Sequence, residues 1–276
     1  MPEAKLATEL PDMQNRKDGF THRKINKVGI RDVMLPCKIL RKDGSFNEST
    51  ATISVYSDLN EETKGVNMSR YRIILEDTFV GQGLYLKLAV RKALQTVKEQ
   101  LKADNAWLKV KFDYFLTRLA PVSKIPSLQN YECTLEGRLI DGQERYYLTV
   151  AVPYTSLCPC SKEMSQYNAH NQRSFGDVTV ELVEAEMCWI EDIVELVEKM
   201  GSAPIINILK RPDEKWQTEL MYENPVFVED MARKVATALD EWLDKKINDY
   251  VFVANHEESI HLHTACSVIN AGRKLS

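Results

Sequence analysis

The hydrophobic period of this chain changes twice within its first half, and that limits the folds open to it. ATISVYSDL, residues 51–59, alternates, with Ile53 and Val55 separated by polar side chains. Leu86, Val90, Ala93, Leu94, Val97 and Leu101 then fall at helical spacing, which predicts one apolar face of a helix of about five turns. WLKVKFDYFL, residues 107–116, returns to a period of two, with Leu108, Val110, Phe112 and Tyr114 on one face and Lys109, Lys111 and Asp113 on the other. SRYRIILE (69–76) is read as strand as well. YECTLEGRLI (131–140) and RYYLTVAV (145–152) flank Asp141-Gly142, a hairpin cue. Later segments repeat the plan. Val178, Val180 and Leu182 alternate, and a helix is expected at 189–200, closed by Gly201. Asn224-Pro225 reads as the start of another helix, running through Val228, Met231, Val235, Leu239 and Trp242. YVFVANH (250–256) and SIHLHTACSV (259–268) read as closing strands. Each half is therefore two strands, helical material and two strands, an α+β pattern. The two halves share this pattern and no visible sequence similarity.

Composition narrows function. The 276 residues are 44% hydrophobic and 28% charged with a net charge of −4, so no general basic field favours nucleic acid. No apolar run approaches the roughly 18 residues that span a bilayer, which argues against a membrane protein. Residues 1–24 read as a flexible polar leader without the apolar stretch of a secretory signal, and a cytoplasmic setting is expected. There the six cysteines are thiols, metal ligands or core residues rather than a disulfide scaffold. Cys37, Cys133, Cys188 and Cys266 read as small hydrophobes.

One stretch fits no core pattern: PYTSLCPCSKEMSQYNAHNQRS, residues 153–174. Long irregular connections are usually functional or disordered. Cys158 and His170, twelve residues apart, reach one metal ion if the loop folds back; a buried Cys and a surface His is the plainer alternative. Two of the five histidines, His261 and His263, lie two apart on a strand-like run and so share a face, either a cleft wall or a hydrated surface. LKRPDEKWQTELMYENP (209–225) reads as a polar connection. Its charges are solvated, or Glu214 or Glu219 completes a Cys, His and carboxylate ligand set with an open water position. Glu229, in the first turn of a helix, is stabilised there by the helix N-terminus, and it also suits the polar edge of a heterocycle.

TSLCPCSKEMS, NAHNQRS, LKRPDE, YENPxFVEDMAR and ESIHxH, with KGVNMSR at 64–70 upstream, closely resemble the type IB GTP cyclohydrolases, in order across nearly the whole chain after the leader. The resemblance implies the tunnelling fold (T-fold): two tandem ββααββ modules with antiparallel sheets and helices on one face, here 25–140 and 141–276, assembled into a homotetramer with active sites between subunits. It implies conversion of GTP to 7,8-dihydroneopterin triphosphate and formate, an early step of folate biosynthesis, by a divalent metal (Zn, Mn or Fe) that activates water for attack on purine C8. Motif by motif, Cys158 is a metal-binding or catalytic cysteine, His170 a metal ligand and Glu214 the carboxylate ligand. Glu229, or second Glu223, grips guanine, and His261 shuttles protons. Lys162, Arg173, Lys64 and Arg70 are candidate triphosphate contacts. Cys160 and His263 receive no role. The alternative within the same fold is an NADPH-dependent nitrile reductase of a deazaguanine, which also uses a Cys and a purine-gripping Glu.

Overall fold

The computed structural model describes residues 14, 18–184 and 186–272; most of the leader expected over 1–24 lies outside them. In chain order the elements are β1 (Ile25–Leu40), β2 (Phe46–Leu59), α1 (Met68–Phe79), β3 (Gly83–Leu84), α2 (Leu86–Leu101), β4 (Ala106–Leu119), β5 (Pro126–Ile140) and β6 (Gln143–Leu157). There follow α3 (Pro159–Met164), β7 (Asn171–Leu182), α4 (Ile190–Met200), β8 (Ala203–Pro204), α5 (Arg211–Glu223), α6 (Val228–Asp240), β9 (Ile247–His256) and β10 (Ala265–Asn270). The strands form one sheet in the order β10-β9-β7-β6-β5-β4-β2-β1-β3, with β8 paired to β6 off that path. Its long strands pair antiparallel throughout. The fold is therefore α+β.

Helices cover one face of this sheet. Along β4, Leu108, Val110, Phe112 and Tyr114 are buried while Lys109 and Lys111 are exposed, as the alternation predicts. Residues Val178, Val180 and Leu182 of β7 and Phe252 and Ala254 of β9 continue the buried face. The helix expected over 86–101 forms, and it presents Val90, Ala93, Leu94 and Val97 to the sheet. It seats closely because β5 carries Gly137 beneath it: a Cβ there would lie 2.5 Å from Val90 Cγ1 and 2.8 Å from Leu94 Cδ1. Asp141 and Gly142 both adopt positive φ, 50° and 77°, the backbone of a tight two-residue hairpin, and Ile140 pairs with Gln143 across it.

Five readings of the sequence are corrected. Residues 69–76 lie in α1, not in a strand. Ile73 and Ile74 are both apolar, so either period fits; the buried set is Tyr71, Ile74, Leu75, Thr78 and Phe79, while Ile73 is exposed. Residues 211–223 form α5, not a loop. The buried stripe of that helix is Asp213, Gln217 and Met221, too polar to show as hydrophobic periodicity. Asn224 closes α5 and α6 begins at Val228, so the Asn-Pro pair ends one helix rather than starting the next. The last strand covers Ala265–Asn270 only, and residues 257–264 turn. Of the four cysteines read as small hydrophobes, Cys37, Cys133 and Cys188 are buried but Cys266 is exposed.

Candidate active site

The stretch at 153–174 is a hairpin with a short helical tip. The β6–β7 ladder runs to Leu157 opposite Asn171, and Cys158 N donates to His170 O at 3.1 Å. The twelve-residue interval is thus closed by the sheet itself, and Cys158 and His170 are brought side by side. Pro159 opens α3 immediately after Cys158. Neighbouring elements brace the tip: Tyr222 Oη of α5 donates to Ala169 O at 3.2 Å, and Lys162 Nζ donates to Tyr222 O. Val226 N donates to Leu157 O at 3.0 Å, which holds the start of α6, and with it Glu229, beside Cys158.

These residues open onto a cleft of about 410 Å³. Cys158, His170 and Gln172 line it from the hairpin, Glu229 from the first turn of α6, and His256, Glu258, His261 and His263 from the end of β9 and the turn beyond. The rings of His261 and His263 stack with centroids 4.8 Å apart, so the two do face one way, although from a turn. His170 Nδ1 lies 2.9 Å from Gln172 Oε1 and 3.6 Å from Glu258 Oε2. His256 is buried; burial pushes it down to about 4, against the pull of the Glu229 carboxylate. It therefore stays neutral at neutral pH, with Nε2 3.1 Å from Tyr154 Oη.

Four of these residues carry no role from the sequence: Gln172, His256, Glu258 and His263. Glu258 stands in the ESIHxH motif itself, so the signal was present. His256 ends β9 on its inward face, which period two along YVFVANH would have revealed.

Other expected contributors lie elsewhere. Glu214 is exposed on α5 and does not line the cleft. Its neighbour Asp213 takes the buried position, accepting from Val122 N, Ser123 N and Lys210 N at 2.8, 2.8 and 2.9 Å and from Ser123 Oγ at 2.6 Å. Burial opposes the charge, but these donors hold the carboxyl well below the usual carboxylate range. One residue further on, a helix turns the next side chain outward. Glu219 is exposed and pairs with Lys215 at 2.7 Å, and Glu223 is exposed at the end of α5.

The four predicted cations are all outside the cleft. Lys162 is spent on Tyr222 O. Arg173 follows inward-facing Gln172 on β7 and so points to the bare face, where it lines a separate cavity of about 690 Å³ with Glu132, Asp177 and Glu257. Lys64 and Arg70 belong to the segment between β2 and α2; Arg70 lines a pocket of about 300 Å³ with Asp58 and Asn67 and donates from Nη1 to Gln100 O at 3.4 Å. Strand β2 is four strands from β7, roughly 19 Å at ~4.8 Å per strand. One chain therefore carries the thiol–imidazole cleft and the Arg70 pocket at separate places.

As to metal, a thiol and an imidazole in contact with one cleft are suitable donors for a borderline-soft divalent ion. Among the described residues no three His, Cys, Asp or Glu side chains converge as a complete metal site. Cys158 and His170 fit as part of a ligand set, with Glu258 the nearest carboxylate to His170.

A thiol, imidazoles and carboxylates grouped at one end of an antiparallel sheet form a cleft of the kind that enzymes use for acid–base chemistry and for holding a metal ion. Comparison with known proteins makes this specific: residues 10–267 match the family model described as type I GTP cyclohydrolase folE2, and the chain belongs to that family. Among its relatives, the GTP cyclohydrolase FolE2 of Geobacter metallireducens is 42% identical over 276 residues, covering 98% of this chain and 100% of that one. The FolE2 of Citrifermentans bemidjiense is 41% identical over 96% of both chains, and that of Dictyoglomus thermophilum 40% identical over 95% and 98%. This is an enzyme, a GTP cyclohydrolase of folate biosynthesis, and the nitrile reductase alternative is not favoured. Among solved structures, a hyper-thermostable AgUricase mutant shares the fold, with a TM-score of 0.57 at 8% identity, covering 91% of this chain and 94% of that one. No helix among the described residues is long and apolar enough to cross a membrane.

Proposed function

We propose that this cleft converts GTP to 7,8-dihydroneopterin triphosphate and formate. The observation that carries the reading is the joint presence of Cys158, His170, Glu229 and His261 on one cleft wall set. Glu229 sits in the first turn of α6, where an acidic side chain complements the helix N-terminus. An ionised carboxylate accepts two parallel N–H donors from the guanine edge. Cys158 and His170 hold a divalent metal, Zn, Mn or Fe, with water, Glu258 or a carboxylate of another subunit as further donors. Such a metal, when bound, lowers the pKa of a water toward neutrality. His261, at the cleft mouth, passes protons to and from the purine C8 region, a role that an imidazole with two ring nitrogens can fill as acid and as base.

The triphosphate requires cations, and among the described residues no Lys or Arg lines this cleft. Lys64 and Arg70, well separated from Cys158 in the same chain, supply them from another subunit. That arrangement accords with a homotetramer with shared active sites; the two modules of the tunnelling fold, 25–140 and 141–276, then meet at the Asp141–Gly142 turn. Lys162, Arg173 and Glu214 take part only if side chains move or a neighbour intervenes. A cytoplasmic setting suits a GTP substrate.

The test is incubation of purified protein with GTP and Mn²⁺, followed by oxidation and detection of neopterin fluorescence, with a chelator control. Cys158→Ala and His170→Ala are expected to abolish product while melting as wild type does. Near-normal rates in both variants would remove the metal and catalytic roles given to these residues.

A further inference from the structure

A buried polar layer underlies the cleft. Ser156 of β6 and Gln172 of β7 are direct cross-strand partners. Ser174, two residues along, pairs with Tyr154 on one side and His256 on the other. Ser156 and Ser174 are fully buried and Gln172 is 7% exposed. The inward positions just behind them are Val150, Val152, Val178 and Val180, so the change from apolar to polar is local to the end of the sheet. Each such group costs about 1–3 kcal/mol if left unpaired. These are paired, in a line. His170 Nδ1 meets Gln172 Oε1 at 2.9 Å, Gln172 Nε2 donates to Ser156 Oγ at 2.8 Å, and Ser156 Oγ meets Ser174 Oγ at 2.8 Å.

The direction of this line matters at its outer end. A side-chain amide oxygen only accepts, so the proton at that contact belongs to His170 Nδ1. A neutral imidazole protonated at Nδ1 keeps its lone pair on Nε2. We propose that Gln172 is a positioning residue: held by Ser156 and Ser174, its amide oxygen locks His170 in the Nδ1–H tautomer and so makes Nε2 the atom that donates to the metal. The inference rests on the reading of Cys158 and His170 as metal donors. The reversed amide, nitrogen toward His170, would place the imidazole proton on Nε2 and close that atom to a metal.

The experiment titrates the chelator-treated full chain with Co²⁺, reading the thiolate-to-cobalt absorption band and the affinity by competition with a chelator. Wild type is expected to bind with that band, and Cys158→Ala to lose it. Gln172→Met removes the acceptor at nearly constant volume and is expected to weaken Co²⁺ on the order of 10- to 100-fold, the usual effect of removing a partner of a metal-bound histidine. Gln172→Glu restores an acceptor and is expected to recover the affinity. Ser156→Ala, a smaller change that frees the amide to turn, is expected to weaken binding several-fold and serves if Gln172→Met does not fold. Absence of Co²⁺ binding by wild type would sink the metal reading itself. Wild-type binding with unchanged affinity in both Gln172→Met and Ser156→Ala, or equal losses in Gln172→Met and Gln172→Glu, would overturn the role given to Gln172 alone.

Discussion

His256 gives the chain a built-in acid sensitivity whose size follows from its surroundings. Its imidazole is 1% exposed, and its pKa falls from 6.5 to about 4 because burial disfavours the charged form. The unfolded chain binds a proton there below pH 6.5 that the folded chain refuses until about pH 4. Stability from this group is therefore complete above pH 6.5 and lost progressively as pH falls toward 4. The full shift corresponds to about 3 kcal/mol at ~1.4 kcal/mol per unit, and between pH 7 and pH 5 about 2 kcal/mol of it is lost. His256→Gln leaves a polar partner for Tyr154 Oη and no titration. Urea unfolding of wild type and His256→Gln with chelator present, at pH 7, 6 and 5, isolates the effect, since every other side chain is common to both proteins. The wild-type advantage over the variant is expected to shrink by about 2 kcal/mol across that range. A difference that stays constant with pH would refute the neutral, buried state of His256.

Gly137→Ala forces a Cβ to within 2.5 Å of Val90 Cγ1 and is expected to cost about 1–3 kcal/mol by overpacking, measured by urea unfolding; Val90→Ala in the same chain should recover part of it. If active sites are shared between subunits as proposed, Cys158→Ala and Arg70→Ala chains, each inactive alone, should regain up to about a quarter of wild-type neopterin production when unfolded together and reassembled, because random mixing gives a two-subunit site both intact halves that often. No recovery in reassembled mixtures would argue that each chain uses its own Arg70 or none.

Much of the fold is legible as period. β4, the second half of β7 and α2 announce themselves because their buried faces are largely apolar and their exposed faces largely polar. The failures share a cause: the buried face was polar, or both faces were apolar. α5 buries Asp213 and Gln217, so its helical stripe carries no hydrophobic signal. α1 sets Ile73 beside Ile74 and suits either period until tertiary packing chooses. At the site, Cys158 and His170 were legible as a pair, but treating 153–174 as irregular hid the start of β7 at Asn171. Once that strand is admitted, its parity turns Gln172 inward and Arg173 outward, and the expected phosphate contact moves to the other face.

The same parity explains what the chain spends at this end of the sheet. Strands β6, β7 and β9 fill their inward positions with Val150, Val152, Val178, Phe252 and Ala254 until the last pairs before the cleft. There the series becomes Ser156, Gln172, Ser174 and His256, all buried and all hydrogen-bonded. Apolar residues of similar volume would pack there at no desolvation cost, so stability alone does not account for the choice. Orientation does. A buried, fully paired set of side chains admits few arrangements of its members; here one line runs from Ser174 through Ser156 and Gln172 to His170, and a second pair joins His256 to Tyr154, all of them at the end of the sheet that bears the cleft. The sheet thus changes from a packing surface to an aligning surface within about one strand turn of the cleft, where departures from local stability rules are expected in a working enzyme.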